Sequence, residues 1–497
     1  MRSHFNLDVC LTDYLSSIFL TFINILMKFT NTGIIAALFL FSIFLTERAT
    51  AQNKSIALSS INPHYFTYKG KPSLLITSAE HYGSVLNLDF DYAKYLNELS
   101  AKGLNLTRVF TGAYVEPAGS FSISANTLAP AANRFICPWK RSTITGYQLG
   151  GNKFDLSQWD EAYFSRLKDF LSQAKKRGII VELTFFCPFY EDSQWKISPM
   201  NHINNINNLG TMDRESVYTL KPTNNLLPVQ TALVKKIISE LRDYPNLIYE
   251  ICNEPYFGGV TLEWQHQVAS VIKDAEKGFN NPHLISQNIA NNSKKIENPN
   301  PAVSVFNFHY AIPAAVKENY ALDKVIGDNE TGFQGTADEA YRTQAWLFIM
   351  AGGGLYNNLD YSFATGKEDG SYSYPSSQPG GGNAELRRQL GYLKRFVESF
   401  KFIHMHPDLS FVKEKSSAET QIQGLAEPGK QYGLYLYGKE KKEIELDLPV
   451  GTYHQAWLNT LTGVLKKDAP FKHNGGRIQL KVPTYTKEIA LRIIRKN

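Results

Sequence analysis

The sequence predicts a (β/α)₈ barrel followed by a small antiparallel β-sandwich, on three observations. From about Ser73, short β-branched or apolar runs alternate with longer amphipathic segments, the rhythm of a parallel α/β fold. The alternation repeats eight times, which suits a sheet closed on itself. No G-x-G-x-x-G follows the first run, so an open dinucleotide-binding sheet loses ground. From about Pro407 the pattern turns alternating and turn-rich, as short antiparallel strands do.

The eight candidate strands are Leu74–Ser78, Asn105–Phe110, Ile179–Phe185, Leu247–Ile251, His283–Gln287, Val303–Phe308, Lys324–Gly327 and Gly354–Leu359. Helical patterns lie between them, among them Trp159–Arg177, Thr231–Arg242 and Leu262–Lys277; in the first, Leu167, Phe170, Leu171 and Ala174 share one face. A last helix, Ala384–Phe400, closes the barrel. Long segments follow strands 2, 3 and 8 (112–158, 186–228 and 360–383), all on the face where such barrels build their active sites. Residues 56–72 read as a hairpin turning at Lys69-Gly70, lying across the barrel entrance or against the sandwich.

The N-terminus reads as an export signal. Met27-Lys28 precedes an apolar run, Ile34 to Leu45, too short to span a bilayer comfortably, and Ala49-Thr50-Ala51 offers a cleavage site before Gln52. The expected division is therefore 1–51 extension and signal peptide, 52–403 barrel, 404–497 sandwich. The apolar patch Ile18–Leu26 leaves a signal anchor open as one alternative; the other is a true start at Met27, which opens a complete signal peptide by itself. The mature chain should have no stable membrane span and should be exported. Three cysteines remain in it, Cys137, Cys187 and Cys252; an odd count gives no disulfide framework, and their spacing resembles no zinc site. No metal or cofactor is expected. The net charge of +6 is modest, and no basic block is long enough for a nucleic-acid track. Nothing in the sequence specifies an oligomeric state.

Two carboxylates carry the chemistry. Leu247 to Cys252 is an apolar run that delivers Asn253 and Glu254 to its C-terminal end, where Pro255 stops the strand. Three strands later Val325-Ile326-Gly327-Asp328-Asn329-Glu330 ends the same way. Carboxylates on strands 4 and 7 face each other across a barrel mouth. One can protonate a leaving oxygen while the other attacks the anomeric carbon, provided they stand ~5 Å apart; a gap of ~6.5–9.5 Å would instead admit an inverting water.

The stretch Tyr249-Glu250-Ile251-Cys252-Asn253-Glu254-Pro255 resembles that of clan A glycoside hydrolases, the group that includes cellulase-like and β-mannanase-like enzymes. The resemblance implies a retaining β-glycosidase acting on an oligo- or polysaccharide. It implies Glu254 as acid/base, Glu330 as nucleophile and Asn253 as partner of the sugar 2-hydroxyl. Arg108 would hold the nucleophile ionised, and His309 and Tyr310 would contact substrate and nucleophile. Without a cation of its own, Glu254 would have the higher pKa of the two. Many clan members end strand 8 with a Trp under the sugar; here Leu355 to Tyr361 has none, which leaves Tyr356 or Tyr361 as the floor. Glu80, His81 and Trp195 are further candidate sugar contacts, and Glu250 should be a buried partner of Arg or His. The segment Pro449–Gly463 resembles the sandwich that follows barrels in apiosidase-like bacterial glycosidases, where it packs against the barrel. The alternatives are a non-catalytic glycan-binding barrel and an inverting glycosidase or transglycosylase on the same scaffold.

Overall fold

The computed structural model describes residues 55–413, 416–417 and 419–496; the expected signal peptide lies outside them. Eight parallel strands run through the chain. They are β1 (Leu75–Ala79), β2 (Leu106–Phe110), β3 (Ile180–Phe186), β4 (Leu247–Cys252), β5 (Leu284–Asn291), β6 (Val305–His309), β7 (Val325–Thr331) and β8 (Leu355–Leu359). They pair in the order β1-β8-β7-β6-β5-β4-β3-β2. At the remaining seam the ladder shrinks to one residue, whose backbone amide donates to the Ile76 carbonyl at 3.2 Å and whose side chain adds two bonds. Asn105 accepts from the Ile76 amide at 3.1 Å and donates to the Leu74 carbonyl at 3.0 Å, so its amide closes the barrel between β1 and β2.

Side-chain alternation explains the interior. The first inward residue of every strand is apolar: Leu75, Leu106, Ile180, Ile248, Leu284, Val305, Val325 and Leu355 form one cluster. Ile56 and Phe66 join that cluster, so the N-terminal hairpin plugs the bottom of the barrel rather than crossing its mouth. It is a small antiparallel sheet of Ala57–Leu58, Phe66–Tyr68 and Lys71–Ser73, turning at Lys69 and Gly70, both at positive φ. Two residues further along each strand, the inward layer is polar almost throughout. It holds Thr77, Arg108, Glu182, Glu250, Ser286 and Asn307, each fully buried. Gly327 leaves room in that layer, since a Cβ there would meet Asn307 Oδ1 at 2.2 Å.

Helices cover the outside. The helix Glu161–Lys176 starts two residues after the expected point because Asp160 caps it, accepting from the Ala162 and Tyr163 amides. The fifth of the eight expected units is incomplete. Residues 292–304, between β5 and β6, contain no helix, and their loop stands open at the C-terminal side of the barrel. The long segment after β2 is not all loop either: Trp139–Thr145 pairs with Asn152–Trp159 as a hairpin.

The C-terminal strands are β9 (Thr420–Glu427), β10 (Gln431–Gly438), β11 (Glu443–Leu448), β12 (Gly451–Leu458), β13 (Gly476–Lys481) and β14 (Glu488–Arg495). One antiparallel sheet orders β9-β10-β14-β12, and β11 pairs with β13 opposite it. Trp457 is buried in their shared core. The sandwich is fastened to the barrel helix Asp338–Met350: Arg342 pairs with buried Glu488, and Tyr435 stacks on Trp346 at 5.1 Å. Among the described residues no helix is long and apolar enough to cross a membrane.

Candidate active site

Glu254 and Glu330 meet at the C-terminal mouth of the barrel. His309, at the end of β6, stands between them, its Nδ1 3.0 Å from Glu254 Oε1 and 3.4 Å from Glu330 Oε1. One carboxylate oxygen of each glutamate and the His309 ring nitrogen all lie within 4.8 Å of one another.

Glu330 is held ionised. Burial alone would raise its pKa, but the His309 ring, the Arg108 guanidinium and the Tyr82 hydroxyl override that and hold it well below the carboxylate range. Tyr82 Oη donates to Glu330 Oε2 at 2.7 Å, and Arg108 Nη1 donates to the same oxygen at 3.3 Å. Arg108 also donates to Glu250 through Nε at 2.9 Å and to Asn253 Oδ1 through Nη2 at 2.7 Å, with its face 4.6 Å over the Tyr82 ring. Glu250 is thus the buried partner of an arginine, below the reacting groups.

Glu254 is surrounded by hydroxyls. Tyr190 donates to Oε2 at 2.6 Å and Tyr256 to Oε1 at 3.2 Å. Tyr190 also accepts from Asn253 Nδ2 at 2.9 Å, which ties the amide and the acid together. The expectation that Glu254 stands without a cation needs correcting, because His309 is its near neighbour. Burial would lower the His309 pKa, yet the two glutamates raise it to about 10, so the ring is an imidazolium at neutral pH. Backbone strain marks the same place: Glu254, Tyr310 and Tyr82 are non-glycine residues at φ 34°, 52° and 60°.

The charge on His309 gives a pH prediction. Its folded value lies above the ordinary 6.5, so the stabilisation it contributes is complete below pH 6.5 and is lost as the pH rises through about 10. Ring-carbon NMR of this histidine should show no deprotonation between pH 6 and 8. A midpoint near 6.5 would contradict the bridging geometry.

The cavity over these groups has a volume of about 240 Å³, and Asn253, Glu254, Tyr310 and Glu330 line it with His81. Three expected sugar contacts lie elsewhere. Glu80 is wholly buried below the cavity wall, where it accepts from the Gly83 and Ser84 amides and from Thr127 Oγ1; it clamps the loop. Trp195 packs on Phe189 and donates to the Met212 carbonyl, facing a different groove. Tyr356 follows inward Leu355, so alternation turns it outward, and its hydroxyl donates to the Tyr341 carbonyl on a surrounding helix. Tyr82, Tyr190 and Tyr256 were not anticipated. Neither was Glu116, a further carboxylate in the cavity wall.

A barrel that gathers two glutamates and an arginine at its C-terminal mouth has the build of a carbohydrate-cleaving enzyme. The model of the cellulase family (glycosyl hydrolase family 5) matches residues 82–344, more than half of the 497 residues, and the chain belongs to that family of glycosidases. No curated protein matches it significantly. Solved structures with the same fold include a glycoside hydrolase at 15% identity and TM-score 0.62, covering 89% of this chain and 97% of that one. A putative glycoside hydrolase from Bacteroides vulgatus is similar at 13% identity and TM-score 0.63, covering 90% of this chain and 83% of that one. A family 5 glycoside hydrolase from the same organism is similar at 14% and 0.61, covering 89% and 93%.

Proposed function

We propose that the enzyme cleaves β-glycosidic bonds of an oligo- or polysaccharide with retention, by double displacement. One observation carries the reading: oxygens of Glu254 and Glu330 lie within 4.8 Å of each other. Retaining pairs stand ~5–5.5 Å apart, and a water-mediated inverting pair needs ~6.5–9.5 Å.

In the first step Glu330 attacks the anomeric carbon as Glu254 gives its proton to the departing glycosidic oxygen; the C–O bond to the aglycone breaks and a glycosyl ester forms. In the second, water loses a proton to Glu254 and attacks the same carbon, releasing Glu330. Arg108 and Tyr82 keep Glu330 anionic and aimed. Asn253, oriented by Arg108 and Tyr190, is the amide offered to the sugar 2-hydroxyl. Tyr310 and His81 complete the wall around the ring. The apolar run and small-residue site before Gln52 support export of the mature enzyme. Proton NMR of the hydrolysis of an aryl β-glycoside tests the stereochemistry: the first-formed sugar should be the β-anomer, and initial α-anomer would sink the proposal.

A further inference from the structure

We infer that the enzyme is exo-acting: it takes one non-reducing terminal residue into a roofed pocket, with Glu116 accepting a free hydroxyl of that residue. The inference rests on the double-displacement reading, because Glu254 as acid fixes the side from which the aglycone leaves.

The roof comes from loops on opposite sides of β1 and β8. Phe121, in the loop after β2, meets Phe333, just after β7, with ring centroids 6.4 Å apart. In the sheet order β7-β8-β1-β2 that contact arches over the two strands between. Phe121 is 39% exposed and Phe333 39%, although both are large apolar side chains at the mouth. Phe121 and Ser122 sit at φ 54° and 60°, a strained backbone that persists only where its surroundings fix the tip. Ser124 ties this loop to the loop after β8, its hydroxyl donating to Gln378 Oε1 at 2.6 Å. Rings continue the arc from Phe121 to Tyr190 at 5.3 Å and from Tyr190 to Phe257 at 5.8 Å.

The arc stops at β4. Beyond it the β5–β6 connection has no helix, and a groove of about 680 Å³ opens beside Tyr256, walled by Gln265, His266, Lys294 and Lys295. Tyr256 lines this groove, and its hydroxyl lies 3.2 Å from Glu254 Oε1 and 2.5 Å from Asn291 Oδ1, two acceptors for its one proton. Glu254 itself lines the smaller cavity, and Tyr256 links it to the groove, which gives the aglycone its way out on that side. The two spaces differ in size, about 680 Å³ for the groove against about 240 Å³ for the cavity over the glutamates; the latter is below the roughly 300–1,000 Å³ of sites for larger ligands, which suits one sugar ring.

Glu116 supplies the reason a chain interior is refused. It is 3% exposed and lines the same cavity as Glu254 and Glu330, and no cation pairs with it among the described residues. Tyr114 donates to its Oε1 at 3.0 Å and Asn126 to its Oε2 at 2.5 Å; Asn126 Oδ1 in turn lies 3.1 Å from His81 Nδ1. Only acceptor capacity is left for the substrate. A terminal residue offers a hydroxyl hydrogen there, whereas a linked residue offers an ether oxygen, a second acceptor that brings the carboxylate no hydrogen.

The test uses cellohexaose and mannohexaose labelled at the reducing end with 2-aminobenzamide, alongside 4-nitrophenyl β-D-glucoside and β-D-mannoside. The first products expected are a monosaccharide and the labelled pentasaccharide. A 4,6-O-benzylidene acetal on the terminal residue should lower the rate at least about 100-fold. Glu116→Gln should raise KM for the aryl glycoside about 10-fold or more with the melting temperature unchanged. Labelled di- or trisaccharide as the first product, or cleavage of the blocked chain at the unblocked rate, would overturn the inference and leave double displacement standing. Absence of turnover on every one of these substrates would count against the double-displacement reading itself.

Discussion

Replacing Glu330 by alanine should lower turnover of any aryl β-glycoside by on the order of 10⁵-fold or more, because the covalent route loses its nucleophile. The loss for Glu254→Ala should depend on the leaving group. With a poor one, about 10²–10⁴-fold goes with the missing proton donor. With 2,4-dinitrophenolate, which needs no proton, the first step survives and the glycosyl ester accumulates. Azide then separates the roles. In the Glu254 variant it attacks the ester from the face that water would use, Glu330 leaves, and a β-glycosyl azide forms. In the Glu330 variant it takes the place of the lost carboxylate and expels the aglycone directly, giving the α-azide. Exchange of these two products between the variants would reverse the assignment. Native-like circular dichroism and melting would show that neither loss comes from unfolding.

The two glutamates were legible because a strand-end carboxylate needs only a strand and its end. An apolar run followed by Asn253-Glu254-Pro255 supplies both. Glu116, Tyr82 and Tyr190 were not. Their positions depend on how loops return to the mouth, and Tyr82 reaches Glu330 only from a positive φ that no residue pattern announces. Tyr356 failed for a reason that was readable: the alternation that turns Leu355 inward turns its neighbour outward. The missing helix after β5 also had a signal, since Asn291-Asn292-Ser293 and Pro299-Asn300-Pro301 break any helical period. The polar layer inside the barrel was hidden by the β-branched and aromatic neighbours of Glu182 and Asn307, which dominate a strand pattern read without the pleat. Function explains that layer better than stability does. It is the platform on which Arg108 stands.

That platform makes Arg108 the residue whose loss should reach furthest. Its guanidinium serves Glu250, Asn253 and Glu330 at once and lies within 3.9 Å of Glu182, and Arg108, Glu182 and Glu250 are themselves fully buried. Burial and the neighbouring Glu250 already push Glu182 above the ordinary carboxylate range, and Arg108 is the cation that opposes the shift. Arg108→Met should destabilise the enzyme by about 3–5 kcal/mol, the cost of leaving buried charge uncompensated. Lysine should restore little, because a single ammonium cannot replace a planar fork that donates in three directions. Adding Glu250→Gln to Arg108→Met should recover part of the stability but none of the activity, since Glu330 and Asn253 still lack their donor. The acid limb of kcat/KM should move with it. Glu330 is held low partly by Arg108, so its removal raises that pKa, and activity should fall off at a higher pH on the acid side than in the wild type. A denaturation midpoint unchanged by Arg108→Met, or an acid limb that stays where it was, would mean that Glu330 is ionised by His309 and Tyr82 alone.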